Sequence, residues 1–402
     1  TMGKKGRIAL YLLSVVILIG MAALIILSHD RRMEKADHTI SDGGIETSEE
    51  PINGSDAEDI SGKLDEENDA LPDATEHEDT TVHEDATEET DSKSTTLIFA
   101  GDVLFANSFK NNYDAAGIEK VIEPQLLKEL NAADIFMVNN EFPYSLRGEA
   151  MADKQFTFRC DPKYVTALNE MGVDIVSLAN NHTLDFGTDA LSDTFQTLDQ
   201  AGILYAGAGD TKERAYELEV IERNGKKFGF LAASRVIPMS NWNVQERTPG
   251  MLTAYDDTKL VELIKNARES CDFLTVYLHW GVEYDAYPQA YQVKIAEDCF
   301  MSGADLVIGA HTHCLQGVSY IDGKPVFFSL GNFVFGSDID KSMAVKVIVD
   351  SANKADYQLI PVYASSGTTK KMDGKNAASV CEYIEKISSG IKVDESGHLT
   401  EK

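Results

Sequence analysis

The feature that most constrains this chain is a repeated event: five short apolar runs each stop on residues able to bind a metal or carry a proton. Leu97 to Ala100 runs into Gly101-Asp102, Ile135 to Val138 into Asn139-Asn140-Glu141, and Asp174 to Leu178 into Asn180-Asn181-His182. Phe273 to Leu278 ends on His279-Trp280-Gly281, and Leu306 to Ile308 on Gly309-Ala310-His311-Thr312-His313. Runs of this length and character predict buried strands, and open α/β sheets place their chemistry at the carboxyl ends of such strands. Any one of these endings is ordinary turn punctuation; the recurrence is what points to a site. A dinucleotide-binding sheet would offer Gly-rich phosphate loops there. These ends offer carboxylate, amide and imidazole, which suit a divalent zinc, manganese or iron ion. The AGAGD stretch, Ala206 to Asp210, lacks the dinucleotide spacing and reads as a strand-to-helix turn with Asp210 capping the residues from Thr211.

From Thr95 onward strands alternate with helical patterns over Pro124 to Asn131, Pro162 to Met171, Thr188 to Ala201, Thr258 to Ser270 and Gln289 to Ser302. Such alternation predicts a layered α/β domain. Asn224-Gly225 and Asp322-Gly323 favour tight primed turns between antiparallel strands, so the sheet is mixed or there are two. Two further strands, Met343 to Val349 and Tyr357 to Tyr363, precede a helix over Ala377 to Ser388 and a polar tail.

The formal net charge of -30 belongs mostly to one segment. Roughly two-thirds of it lies between Asp37 and Asp91, where Lys63 is the one basic side chain of the Lys/Arg type and large apolar residues are scarce. That composition predicts a disordered, self-repelling linker; about 60 residues of flexible chain span on the order of 45 Å. No basic stripe exists to neutralise phosphates, which argues against nucleic acid as a partner. Ile8 to Leu27 is long and apolar enough to cross a bilayer, with Lys4, Lys5 and Arg7 before it, and reads as a single-pass anchor in the cell membrane with the large domain outside. The expected organisation is a short cytoplasmic flank over residues 1–7, the anchor over 8–27, the linker over 28–94, the main domain over 95–350 and a C-terminal extension over 351–402. Cys160, Cys271, Cys299, Cys314 and Cys381 are scattered and unpaired in spacing, so they predict neither a zinc cluster nor a disulfide framework.

Six stretches together resemble the CapA/PgsA family of bacterial capsule and poly-γ-glutamate synthesis proteins: GDVLF from Gly101, NNEFP from Asn139, SLANNHTLDFG from Ser177, HWGVEY from His279, GADLVIGAHTHCLQ from Gly303 and SLGNFVF from Ser329. The resemblance implies a calcineurin-like metallophosphatase fold, a layered sandwich of mixed β-sheets flanked by helices, here behind an N-terminal transmembrane helix. It also implies one or two divalent ions (Mn, Zn or Fe) held by Asp102, a bridging Glu141, Asn181, His279, His311 and His313. His182 would stay free of the metal to contact substrate or protonate a leaving group. Two positions depart from the phosphatase pattern: Ala310 lengthens the closing Gly-His-x-His, and Leu104 stands where a phosphatase has a second ligand histidine. A single tight ion, or a weak second one, fits that donor count better.

The donors themselves imply metal-assisted hydrolysis or transfer, since a divalent ion activates water and polarises acyl or phosphoryl oxygens. His182 is the candidate general acid. Asp185 would either orient that imidazole or cap the following helix, with capping favoured. Arg159 and Arg235 are candidates for gripping an anionic substrate, against the plainer reading as surface ion pairs. Trp280, Tyr284, Tyr287 and Tyr291 would line a polymer groove, unless Trp280 merely packs the strand end; Glu283 matches the family's HWGxE pattern and is a further substrate-side candidate. The resulting expectation is an extracellular, membrane-anchored protein of poly-γ-glutamate or capsule synthesis or export, with membrane synthetase subunits as partners and the polymer as substrate. Two alternatives stand beside it: a non-catalytic assembly or export factor, and a general surface metallophosphoesterase.

Overall fold

The computed structural model describes residues 94–402. The apolar run over residues 8–27 and the acidic segment from Asp37 to Asp91 lie outside the described residues. Among the described residues no helix is long and apolar enough to cross a membrane.

Two mixed sheets carry the domain, with helices between their strands, an α/β architecture. In spatial order the first takes Thr368–Lys371, Ala355–Ser365, Ile339–Val349, Thr95–Val103, Ile135–Asn140, Ile175–Ser177 and Leu204–Ala206, with Asn332–Val334 also paired to Thr95–Val103. The second takes Val318–Ile321, Lys324–Phe327, Leu306–Ala310, Phe273–His279, Lys226–Ser234 and Glu219–Arg223. The central strands run parallel: Ile98 pairs with Phe136, Val138 with Val176, and Ile308 with Tyr277. Parallel strands are covered on both faces, which is why these segments are continuous apolar runs without alternation. One core extends across both sheets; Phe99 of the first meets Phe230 of the second with ring centroids 6.5 Å apart, and the Tyr277 hydroxyl donates to the Ala100 carbonyl at 2.7 Å.

The two Gly-containing turns behave as their sequence dictates. Asn224 and Gly225 have φ of 50° and 75°, Asp322 and Gly323 have 51° and 73°, and each pair closes an antiparallel hairpin. Pro124–Asn131 is helical as expected, with Pro124 at its start and the Glu123 carboxylate accepting from Leu126 N. Pro162 to Met171 divides into a 3-10 turn at Pro162–Val165 and a short α-helix at Thr166–Glu170. After Gly209, Thr211 and not Asp210 caps the next helix, its hydroxyl accepting from Arg214 N at 3.3 Å. The segment read as a C-terminal extension supplies Ala355–Ser365 and Thr368–Lys371 to the first sheet before the Gly374–Ile387 helix, so its strands continue the main domain. All five cysteines are free thiols.

Two glycines set the strand ends where the donors emerge. A Cβ at Gly101 would lie 1.7 Å from the Gly331 carbonyl oxygen, and one at Gly309 would lie 2.1 Å from the Phe328 oxygen and 2.4 Å from Trp280 Nε1. Backbone and a buried indole cannot yield to such an atom. Gly309→Ala is therefore expected to lower stability by about 1–3 kcal/mol, read as an earlier urea midpoint of the full chain; an unchanged midpoint would show that the Phe328 backbone is free to move.

Candidate metal centre

The ends of five parallel or near-parallel strands bring their donors to one buried cluster. Asp102 lies near the end of Thr95–Val103, Glu141 follows Ile135–Asn140, Asn181 follows Ile175–Ser177, His279 closes Phe273–His279, and His311 follows Leu306–Ala310. Asp102, Glu141 and His279 are wholly shielded from solvent, and His311 and His313 nearly so. One ligand atom from each of Asp102, Glu141 and His279 lies within 4.8 Å of the others, and so does one from each of Glu141, His311 and His313. Glu141 belongs to both groups. His279 Nε2 is 2.7 Å from Asn181 Oδ1 and 3.6 Å from Glu141 Oε1, which adds the amide to the first group.

The loop that returns the two histidines is strained. His311 and His313 have φ of 98° and 53°, left-handed values that cost a non-glycine residue on the order of 1–3 kcal/mol each. The strain turns both residues back toward Asp102, which accepts from His311 N at 3.1 Å and lies 3.5 Å from His313 Nδ1.

Whether these residues suit a cation is decided by their unpaired atoms. Both Glu141 carboxylate oxygens and His311 Nδ1 are buried without a hydrogen-bond partner among the described residues. An unpaired buried carboxylate is costly, and a second carboxylate beside it adds like-charge repulsion. Burial first, and then the neighbouring Asp102 charge, raise the Glu141 carboxyl well above its usual range. Burial, followed by the neighbouring histidines, keeps His279 well below its usual value and His311 at about 3. Both are thus the neutral imidazoles that ligation requires. Burial alone would lower His313 too, but Glu141 and Asp102 outweigh it and push it up to about 10. The Glu141 and His313 shifts depend on each other's charge, so the pair keeps at least one proton. A buried, anion-rich, thiolate-free set of carboxylate, imidazole and amide donors fits a divalent first-row ion. Leu104 is buried and offers no donor, as the sequence requires.

Asparagines brace the donors. Asn139 Nδ2 donates to Asp102 Oδ1 at 2.7 Å, and Asn180 Nδ2 donates to Asn139 Oδ1 at 3.1 Å and to the Asn140 carbonyl at 2.8 Å. Asn332 Oδ1 meets His313 Nδ1 at 2.8 Å while its Nδ2 is unpaired. The sequence placed Asn139, Asn180 and Asn332 in the recurring stretches but gave them no role; their presence in those stretches was the only available signal.

Beside the cluster, His182 Nδ1 is 2.7 Å from Asp185 Oδ2 and its ring packs against Phe158 at 4.4 Å between centroids. Asp185 does not cap the Gly187–Ala201 helix, where no side chain bonds the first turn. Its second oxygen takes Lys154, and Phe158 N donates to Oδ2 at 2.7 Å, so the orienting alternative is the one realised and the capping one is not. Lys154 was missed by sequence reasoning. Its ammonium also reaches the Asn181 carbonyl and lies 3.0 Å from His182 Nδ1.

The substrate-side candidates separate clearly. Trp280, expected along a groove, is fully buried with Nε1 donating to the Phe328 carbonyl at 2.8 Å, and so packs the strand end. Arg159 donates to the Arg147 and Gly148 carbonyls at 2.7 and 3.1 Å and lies over Phe186, which commits it to its own loop. Arg235 lies over Tyr255 and Tyr291 instead. Neither arginine forms an ion pair among the described residues. Glu283 is exposed, as are Tyr284 and Tyr287, and the Tyr284 ring is 6.2 Å from that of His313.

Comparison with known proteins agrees with this arrangement of motifs. Residues 96–337, more than half of the chain, match the model of the bacterial capsule synthesis protein family PGA_cap. The PGA biosynthesis protein CapA of Bacillus subtilis (strain 168) is 26% identical over 316 residues, covering 75% of this chain and 80% of its own. The capsule biosynthesis protein CapA of Bacillus anthracis is 26% identical over 288 residues, covering 69% of this chain and 70% of its own. A probable polyglutamine synthesis accessory protein of Mycobacterium tuberculosis (strain ATCC 25618 / H37Rv) is 26% identical over 289 residues, covering 66% and 76%. With its strand-end motifs and most of its folded length inside the match, the chain belongs to the bacterial capsule synthesis protein family PGA_cap.

Proposed function

We propose that this protein acts in the synthesis or export of a poly-γ-glutamate capsule, as a metal-dependent hydrolase or transferase on the outer face of the cell membrane. The observation that carries the reading is Glu141, a fully buried carboxylate with both oxygens unpaired, shared by two ligand groups. In this reading the fold is a metallophosphatase-like sandwich, residues 8–27 anchor the chain, and membrane synthetase subunits are its partners. Asp102, Glu141, Asn181, His279, His311 and His313 hold one or two divalent ions of manganese, zinc or iron. Such an ion supplies an activated water and a Lewis acid for an acyl or phosphoryl oxygen.

The chain's own groups do the rest. With Nδ1 donating to Asp185, His182 has Nε2 left to accept a proton from the nucleophile and return it to the leaving group. Lys154 holds Asp185 in place and keeps its charge beside the imidazole. Asn139 and Asn332 fix the carboxylate and imidazole donors from behind. The absence of a donor at Leu104 favours the non-catalytic assembly factor as the second reading.

The test is the full chain purified in detergent, loaded in turn with Mn, Zn and Fe, analysed for metal and offered γ-glutamyl oligomers and simple phosphodiesters. Near-stoichiometric metal with cleavage of the γ-linked amide is expected. Bound metal with no turnover of either probe favours the assembly role, and preference for phosphodiesters favours a general phosphoesterase. Because the metal-free Glu141 and His313 pair keeps a proton that an ion must displace, metal affinity should rise with pH. Calorimetry in buffers of different ionisation enthalpy should register about one proton released per ion; a buffer-independent heat would contradict the shared proton.

A further inference from the structure

Arg235 combines three features. Its guanidinium carbon lies 3.7 Å from the centroid of Tyr255 and 4.9 Å from that of Tyr291, so two aromatic faces fix the fork. None of its guanidinium N–H groups meets a protein acceptor among the described residues, and no carboxylate lies within ion-pair reach, although the chain is strongly acidic. Every other arginine from Arg147 to Arg268 except Arg247 has its guanidinium hydrogen-bonded to a carboxylate or a carbonyl.

Its position ties it to the metal centre. Arg235 follows the last residue of Lys226–Ser234, Ser234 pairs with His279, and Arg235 N donates to the His279 carbonyl at 2.8 Å. Tyr291 is bonded into the loop that follows His279: its hydroxyl accepts from Gly281 N at 2.9 Å and lies 3.2 Å from the Gly281 oxygen. Tyr255 precedes the Thr258–Ala267 helix and is about half exposed, 52%. All three residues thus stand at the strand-end edge that carries the donors, with Arg235 half-buried. Cation–π contact holds a guanidinium without consuming its N–H groups, and the planar fork matches a carboxylate.

We infer that Arg235, held between Tyr255 and Tyr291, is the subsite that takes a free carboxylate of the polymer while a neighbouring linkage lies at the metal centre. This rests on the polymer reading above, and it adds a specificity-determining residue: an acidic γ-linked chain carries one free carboxylate per unit and its amidated counterpart carries none. The subsite is a matter of recognition, so it is read by binding and needs no turnover.

The experiment measures equilibrium binding of a γ-glutamyl oligomer, its side-chain-amidated counterpart and inorganic polyphosphate to the full chain, wild type, Arg235→Gln and Arg235→Lys, with metal content taken on the same samples. Wild type is expected to prefer the carboxylate oligomer, Arg235→Gln to lose about 10–100-fold in its affinity, and Arg235→Lys to fall between, because it keeps the charge without the fork. The amidated oligomer should bind all three alike. Absence of binding, equal binding of the two oligomers by wild type, or an Arg235→Gln chain that binds like wild type overturns the inference. Tighter Arg235-dependent binding of polyphosphate overturns the carboxylate assignment. Metal content separates the two readings: Arg235-dependent binding by a chain that holds no metal sinks the metal centre alone, and metal-loaded chains indifferent to Arg235 sink the subsite alone.

Discussion

A Glu141→Gln chain should retain no more than traces of transition metal, and its metal-free form should be more stable than metal-free wild type. Both halves come from one fact: the carboxylate is fully buried beside Asp102 and neither oxygen is hydrogen-bonded among the described residues. Because Glu141 belongs to both ligand groups, its loss touches every ion the site could hold. The affinity loss should exceed the ~10–100-fold typical of replacing a residue that only supports a ligand. In the metal-free protein the same substitution replaces an acid beside Asp102 with a neutral amide, which relieves the like-charge repulsion. The competing account is a structural ion pair, with His279 3.6 Å away or with the imidazolium of His313 that Glu141 and Asp102 sustain, whose disruption would cost about 3–5 kcal/mol. His279 is held as a neutral imidazole, so that pair carries little Coulomb energy, and Asp102, 3.5 Å from His313 Nδ1, still pairs with His313 when Glu141 is replaced. Thermal unfolding with chelator and with added Mn or Zn distinguishes the accounts: the wild type should gain on adding metal and the variant should not, with the order reversed in chelator. A variant less stable than wild type in chelator would identify Glu141 as a structural partner.

The ligand set was legible because parallel strands impose a simple grammar: continuous apolar runs are strands buried on both faces, and whatever polar residue follows must emerge at one edge. Asp102, Glu141, Asn181, His279, His311 and His313 all stand in such strand-end stretches, the family resemblance singles them out from their neighbours as candidate ligands, and the structure brings their side chains or their strand ends together. What the grammar does not encode is contact between residues far apart in sequence. Lys154 lies in the irregular MADKQFTF stretch, with no periodicity to place it, yet its ammonium reaches Asp185 thirty-one residues on. Asp185 itself fitted a cap by position; only the fold shows that Phe158 N and His182 compete successfully for its oxygens. Trp280 illustrates the reverse limit, since a large aromatic at a strand end is equally suited to a groove or a core and the Phe328 carbonyl decides for the core. Tyr357 to Tyr363 reads as a strand in the sequence, but its pairing with Ile339–Val349 depends on sheet order that no local pattern states, and the short strands Thr368–Lys371, Ile391–Val393 and Leu399–Glu401 carry no apolar run to mark them.

His182→Gln should lower turnover of the γ-linked substrate by about 10²–10⁴-fold while metal content stays at the wild-type level. The imidazole is placed for proton transfer: Asp185 fixes its tautomer through Nδ1, Phe158 fixes its plane, and Nε2 has no protein partner among the described residues. No ligand atom of His182 belongs to either metal group, so its loss should spare the ions. Asp185→Asn probes the same proton from behind. It keeps the size of the side chain but removes the charge that Lys154 and the imidazole share, and a loss of about 10–100-fold is expected, in kcat with KM little changed. Lys154→Met then separates positioning from charge. With its ammonium gone, Asp185 loses one of its three partners and the imidazole loses a nearby cation that disfavours its protonated form; the pH at which activity appears should move upward relative to wild type. The sign follows from that cation: removing it makes His182 easier to protonate, so a base that must be neutral becomes available only at higher pH. A His182→Gln chain with wild-type turnover would remove the imidazole from the chemistry, and one that loses its metal would instead make His182 part of the ligand shell.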